Sequence, residues 1–341
     1  MNRPTEPISP DADQHTDPFG ERAALPWRRS VQLLGQRFDF HAQTEALMAL
    51  VDAAYAQLPA HALPGVAAPC RVELRLGDDV APTWSGEPPE PRMLGGAGFL
   101  GAAVDAANLA LISPAERRAL VTLSNGMLRH AYHARYELLE FAVFTLAARA
   151  ADLMPLHAGC VGRRGVGALL LGESGAGKST LTLHGLLRGL DFLSEDAAFA
   201  RAADGLVTGV ANYLHLRADA LRFLAAHPAV EQRVRASPSI RRRSGVEKFE
   251  LDLRGGWAPL APAPLRLAHV VFASPRAADG ELLVPLDADA LRMRLVATQS
   301  YAAGLAGWPA FEVTMAGLHG WELRRGTHPR EAAAALAGLF E

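Results

Sequence analysis

Apolar positions recur along this chain with a period that changes from segment to segment. "VQLLGQRFDF" and "CRVELRLG" alternate apolar and polar residues, the period of half-buried strands. Between them, "AQTEALMALVDAAYAQL" spaces its apolar residues as one face of a helix does. "PTWSGEPPEPRMLGG" is loop by composition. "AAVDAANLALIS" and "ALVTLSNGML" read as further strands. "AYHARYELLEFAVFTLAARAA" is a long helix, apolar around most of its girth and therefore buried.

A second rhythm begins near Leu153. "MPLHAGCVG" and "GVGALLLG" read as two strands, and the second runs into a Gly-rich turn and the helix "KSTLTLHGLLRGL". "DFLSEDAAFA" is the next strand, followed by weaker alternation through "GLVTGVANYLHLRADALRFL". "LRLAHVVFAS" is a core strand, "ADALRMRLVATQSYAAGLA" is helical, "FEVTMAGLHGWELRRG" reads as a late strand pair and "HPREAAAALAGLFE" as a closing helix. The pattern divides the chain into a polar, Pro-rich disordered tail (1–29), an α+β piece (30–152) and an α/β piece (153–341). There are no internal repeats.

Composition narrows the classes. The 341 residues are half hydrophobic, enough for a substantial core, and the formal net charge of −2 argues against a general nucleic-acid or anionic-membrane binder. The opening stretch lacks the apolar core of a signal segment, and no apolar run approaches the ~20 residues of a membrane span. Two cysteines, Cys70 and Cys160, make neither a disulfide framework nor a zinc set and fit a reducing cytoplasm. Of 34 lysines and arginines, only Lys178 and Lys248 are lysine. In a chain that otherwise uses arginine, each of these two marks a place where a compact ammonium is wanted.

Lys178 explains itself. "LLLGESGAGKST" places Gly172 before Gly177, Lys178 and Ser179 in the spacing G-x-x-x-x-G-K-[ST], with an apolar strand before it and a helix after. Glycines let such a loop turn its amides onto one anion, and the helix adds its positive end. Lys178 reaches β- and γ-phosphates, where the wide fork of arginine does not fit, and Ser179 offers its hydroxyl to Mg²⁺.

After the helix, Glu195 and Asp196 follow the apolar pair Phe192–Leu193. An acid there is placed to hold Mg²⁺, and a second to take the proton of an attacking hydroxyl. Both serve only if the strand ends or bulges at the pair, because strand neighbours point to opposite faces. His157, one strand before the loop, faces the γ-phosphate or is a hydrogen-bonded core histidine.

"LHAGCVGRRGVGALLLGESGAGKSTLTLHGLLRGLDFLSED" resembles the catalytic domain of HPr kinase/phosphorylase, and more closely the bacterial HPr-kinase-related proteins that include kinases of lasso-peptide precursors. The resemblance is strong over 153–198. It implies an α/β fold: the P-loop kinase core of the HPr kinase C-terminal and phosphoenolpyruvate carboxykinase type, with a smaller N-terminal α+β domain. It implies ATP and Mg²⁺ as cofactors and a Ser/Thr hydroxyl of a peptide or small protein as acceptor. His157 matches the strand histidine. Gly172, Glu173, Ser174, Gly175, Ala176, Gly177, Lys178, Ser179 and Thr180 match the nucleotide loop. Glu195 and Asp196 match the acidic pair, with Ser179 and Asp196 assigned to the metal. The family usually carries two aspartates there, so the split of roles between Glu195 and Asp196 stays open. The later glycine-rich signature is not clear in "VTGVANYLHLRADA", so neither the reverse reaction nor HPr as substrate carries over. A homo-oligomer is compatible with the resemblance.

Lys248, in "GVEKFELD", follows Arg241, Arg242 and Arg243. Phosphoryl transfer needs positive charge beside the γ-phosphate, and Lys248, with Arg243 as a second clamp, is the candidate. The rival readings are a kinase of a free small molecule and a non-catalytic ATP-binding module. No catalytic grouping is visible in the N-terminal piece, Arg324 and Arg325 read as surface, and the adenine site is not located.

Overall fold

The computed structural model describes residues 24–66, 68–77 and 84–341. Three sheets organise them. The first has the order β1-β2-β3-β7-β6-β5-β4 and comprises β1 (Trp27–Leu33), β2 (Gln36–Ala42), β3 (Cys70–Leu76), β4 (Arg92–Gly96), β5 (Phe99–Ala103), β6 (Leu109–Ser113) and β7 (Arg118–Leu123). β2, β3 and β7 run parallel, and the remaining pairs are antiparallel.

Two helices cover this sheet. Glu45–Tyr55 starts at Thr44, whose side chain accepts from the amide of Leu47, an ordinary N-cap. The long apolar helix starts as wide π-type turns over His133–Leu139 and continues as Glu140–Ala150. Phe38, Phe40 and Tyr55 stack through the core between the sheet and the helices.

The second sheet contains β8 (Leu153–Leu156), β9 (Gly159–Arg163), β10 (Val166–Leu171), β11 (Asp191–Ser194), β12 (Ala198–Arg201), β13 (Leu206–Gly209), the long β17 (Leu265–Ala277), β18 (Leu283–Leu286) and β19 (His319–Arg325). The order is β11-β9-β10-β17-β13-β12-β8, and β19 joins β17 and β18. The third sheet is β14 (Tyr213–Leu216), β16 (Glu247–Asp252) and β15 (Ser239–Arg241). The result is a mixed α/β fold. Among the described residues no helix is long and apolar enough to cross a membrane.

Four sequence expectations change. The tail assigned to 1–29 lies outside the described residues through 23, but Trp27–Arg29 already belong to β1. These positions are exposed, so apolar alternation gave no sign of them. Backbone pairing to β2 and the fork of Arg29 on Asp52 (2.8 and 2.9 Å) hold them. The Pro/Gly-rich loop ends in a strand, β4, because the β5 hairpin supplies the ladder that its glycines do not favour. "FEVTMAG" is the helix Trp308–Met315, with Pro309 in its first turn and Phe311 and Met315, four residues apart, in the core. "MPLHAGCVG" and "DFLSEDAAFA" are each two strands, broken at 157–158 and 195–197.

Those last two breaks position the site. β8 pairs with β12 and β9 with β11, so the interruption at His157 lies opposite the interruption at the acidic pair. The crossing is tight: a side chain on Gly159 would come within 2.7 Å of the carbonyl oxygen of Glu195. Glycine is required there for that close approach.

Candidate active site

The loop between β10 and the helix Lys178–Leu186 has the backbone its motif requires. Gly172, Gly175 and Gly177 have φ of 144°, 85° and 90°, values that side-chain-bearing residues rarely adopt. The helix begins at Gly177 with no side-chain cap, so its first amides are left for an external acceptor. Lys178 Nζ donates to the carbonyls of Gly172 (2.7 Å) and Glu173 (3.3 Å), which folds the ammonium back over the loop. Burial pulls its pKa below the usual lysine range, while Asp196 and Glu195 pull the other way.

A cleft of about 290 Å³ opens over this loop. Its walls include Ser174, Lys178, Ser179, Thr180, His157, Asp196, Arg242 and Lys248. Both lysines of the chain therefore line one cleft, although 70 residues separate them (248 − 178). Lys248 arrives from β16 in the small third sheet. Residues two apart on a strand share a face, so Lys248 and Glu250 project to the same side.

The acids separate. β11 ends at Ser194, and the bend after it sends Glu195 inward and leaves Asp196 half-buried in the cleft wall. This satisfies the condition that the strand must end at the pair. Both carboxylate oxygens of Glu195 are engaged: Oε1 accepts from Ser179 Oγ at 2.7 Å, and Oε2 pairs with His215 Nδ1. Among the described residues Asp196 has one long contact, with Arg242 at 3.5 Å. Ser179, expected to share a metal with Asp196, thus hydrogen-bonds to Glu195.

Arg243 also moves from its expected role. Its guanidinium forks onto Glu137 (2.6 and 2.5 Å) and donates to the carbonyls of Pro88 and Pro89, tying the third sheet to the N-terminal piece. It does not border the cleft; its neighbour Arg242 does. Adjacent residues leave a chain in different directions, and the run "RRR" carries no periodicity that would single out one of them. His157 is exposed at the cleft mouth, and its backbone is held on both sides by the buried side chain of Gln299 (2.8 and 3.1 Å). A backbone clamp 142 residues away leaves no mark in sequence spacing.

Behind Glu195 lies a network that the sequence did not reveal. His215 pairs with Glu195 through Nδ1. Its Nε2 lies 2.9 Å from the Tyr136 hydroxyl, which donates to Glu250 at 2.6 Å, and Arg135 pairs with Glu250. Burial opposes charge on His215, but Glu195 and Glu250 overcome it and raise the imidazole to about 9. Burial alone would raise the Glu195 carboxyl; the His215 charge and the hydrogen bonds from His215 and Ser179 bring it below the usual range. The row of carboxylate, imidazolium, carboxylate and guanidinium is neutral overall, which is how charges this deep are tolerated. Arg135 and Tyr136 come from the π-type turns. The segment that showed no catalytic grouping therefore braces the acid beside Ser179 from behind.

Glu140, fully buried one turn further on, is raised to about 7 by burial, with Arg135 and His215 opposing. Its value in the folded protein lies above the ordinary carboxyl value of 4.5, so ionisation costs stability as pH climbs from there through 7. Glu140→Gln stays neutral. Chemical denaturation should find it more stable than wild type by roughly 3 kcal/mol at pH 8 and equal at pH 4. A difference that does not depend on pH would show that the Glu140 carboxyl titrates alike in the folded and the unfolded chain.

Among the described residues no three His, Cys, Asp or Glu side chains gather as a self-sufficient metal site. A hydroxyl and a carboxylate side by side, Ser179 and Glu195, form the kind of donor set that magnesium takes when substrate phosphates supply further oxygens. Beside the cleft, a second pocket of about 220 Å³ is bordered by Gly175, Thr180, Phe223, Arg324 and Arg325. Arg324 and Arg325, read from sequence as surface, thus border a pocket that adjoins the loop.

No family model matches the chain, and no curated protein matches it. Among solved structures, the chain is similar to the HPr(Ser) kinase/phosphatase from Coxiella burnetii, with 13% identity over 54% of this chain and 95% of that one. The TM-score is 0.25. An overlap this loose carries no functional weight; the geometry of the cleft does.

Proposed function

We propose that the chain is an ATP-dependent kinase that transfers the γ-phosphoryl group to a Ser or Thr hydroxyl of a peptide or small protein. One observation carries this reading: the loop amides, both lysines, Arg242, His157 and Asp196 converge on one cleft. Phosphoryl transfer asks a protein for positioning and for fixed positive charge, and the cleft offers both. Magnesium, when bound, would neutralise phosphate charge, with Ser179 and Glu195 as its residues. Asp196 is the general base, because its carboxylate alone of the two faces the cleft with little to hold it. His157, at the mouth, orients the acceptor. Lys248 and Arg242 stabilise the charge on the transferring group. The pocket between Phe223 and Arg324 takes the nucleoside.

A non-catalytic ATP module would need the loop but not a free acid, a second lysine and an arginine aimed at the same place. Incubation of candidate peptides with Mg-ATP, read by mass spectrometry, tests the reading through a phosphate mass on Ser or Thr.

Lys248→Ala is expected to keep the fold and Mg-ATP affinity and to lower kcat on the order of 10²-fold, the cost of one charge-stabilising donor. Single-turnover kinetics reads this directly. A kcat within about twofold of wild type excludes a catalytic role for Lys248.

A further inference from the structure

A groove of about 590 Å³ runs from the first sheet to the cleft. It is larger than the phosphate cleft and shares His157 and Asp196 with it, so the two spaces meet at the proposed base. The remaining lining is mostly apolar. Met93 and Leu94 of β4, Phe144 of the long helix, and Tyr301 are among it. Three of these are unusually open for their size: Met93 is 64% exposed, Leu94 54% and Tyr301 69%. Apolar side chains held open around a groove that ends at a catalytic acid mark a binding surface.

β4 is the last strand of its sheet, and among the described residues no further strand pairs with its outer edge. Proteins usually guard such an edge with charge, proline or a bulge. Here the strand is "RMLGG", and Arg92 is its one charged residue. Neighbours on a strand point to opposite faces, yet Met93 and Leu94 both border the groove, so the groove passes along the free edge. A main-chain edge beside apolar pockets is what an extended peptide uses when it adds as a strand.

Resting on the kinase reading above, we infer that the acceptor is an extended polypeptide segment that pairs with the free edge of β4 and buries bulky apolar side chains next to its Ser or Thr in this groove. Specificity is then for aliphatic or aromatic neighbours of the hydroxyl, not for charged ones. The groove has few charges to read: besides Asp196 and His157 at its inner end, Arg149 is its one charged residue. A free small molecule would leave the β4 edge unused. A second copy of this chain could cover the face but would close the path to Asp196.

The test uses the full chain and two short fluorescent peptides. One has a serine flanked by leucines, and the other has aspartates in their place. Anisotropy gives affinity, and mass spectrometry on the same samples gives phosphorylation. The leucine peptide should bind about tenfold or more tightly than the aspartate peptide. Leu94→Asp and Tyr301→Asp, both at exposed positions, should erase that preference while Mg-ATP affinity stays unchanged. Val313→Asp, more exposed than either and outside the groove, should keep it. Equal binding of the two peptides, no binding of either, or a preference that survives both groove variants overturns the proposal. A change from oligomer to monomer in Leu94→Asp with peptide binding intact also overturns it, assigning the face to self-association. Groove-dependent binding without phosphate transfer supports the groove and counts against the kinase reading, so the two failures are distinct.

Discussion

Lys178→Ala is expected to erase Mg-ATP binding from a calorimetric titration and to cut phosphoryl transfer roughly 10²–10³-fold, the cost of deleting one preorganised donor. The size comes from the position. Its ammonium already hangs over the loop on the carbonyls of Gly172 and Glu173, half desolvated, so little rearrangement is needed when an anion arrives. Lys178→Arg should not rescue. A planar fork does not replace a compact point charge among the loop carbonyls, and a chain with 32 arginines (34 − 2) has kept lysine here. The helix should survive either change, because its packing runs through Leu181, Leu183 and Leu186 on its buried side. Retained affinity in the alanine variant, with a folded protein by circular dichroism, would remove Lys178 from the site.

Asp196→Ala is expected to lower kcat by about 10²–10⁴ with Mg-ATP affinity nearly unchanged, the signature of losing a general base. Its neighbour should behave differently. Glu195→Gln leaves His215 with Glu250 as its remaining carboxylate and Ser179 without its carboxylate, so thermal stability and magnesium-dependent nucleotide affinity should both fall. Removing one partner of a buried pair costs about 3–5 kcal/mol, enough to read in a melting curve. If Glu195→Gln loses only kcat while Asp196→Ala loses nucleotide affinity, the two roles are reversed. Adjacent acids invite being read as a unit; the bend after β11 makes them two residues with separate tasks.

How much the sequence discloses depends on how local each feature is. The loop 172–180 sits in one strand–turn–helix unit, so spacing alone reveals it, and its glycines have the positive φ expected of them. Lys248 was legible through scarcity: with lysine so rare, its presence required a reason. Arg242 was not, since three successive arginines look alike until the turn after β15 decides which one faces the cleft. The bracing network was beyond reach for a stronger reason. Arg135 and Glu250 are 115 residues apart, and Tyr136 and His215 are 79 apart. Each residue is ordinary in its own window: Arg135 and Tyr136 look like polar breaks in an apolar helix, and His215 and Glu250 like common strand positions. The wide turns at 133–139 bring two consecutive side chains to one buried carboxylate, and nothing in the local pattern announces them. β4 escaped for the opposite reason: its strand exists through its partner and not through its own residues.

The function proposed for this chain stands on a magnesium nucleotide seated in the cleft over Gly172–Thr180. The direct measurement is isothermal titration of purified chain with Mg-ATP, run beside Lys178→Ala under the same conditions. One binding event per chain is expected in the wild type and none in the variant. Absence of heat in the wild type, or an identical isotherm in both proteins, would contradict it.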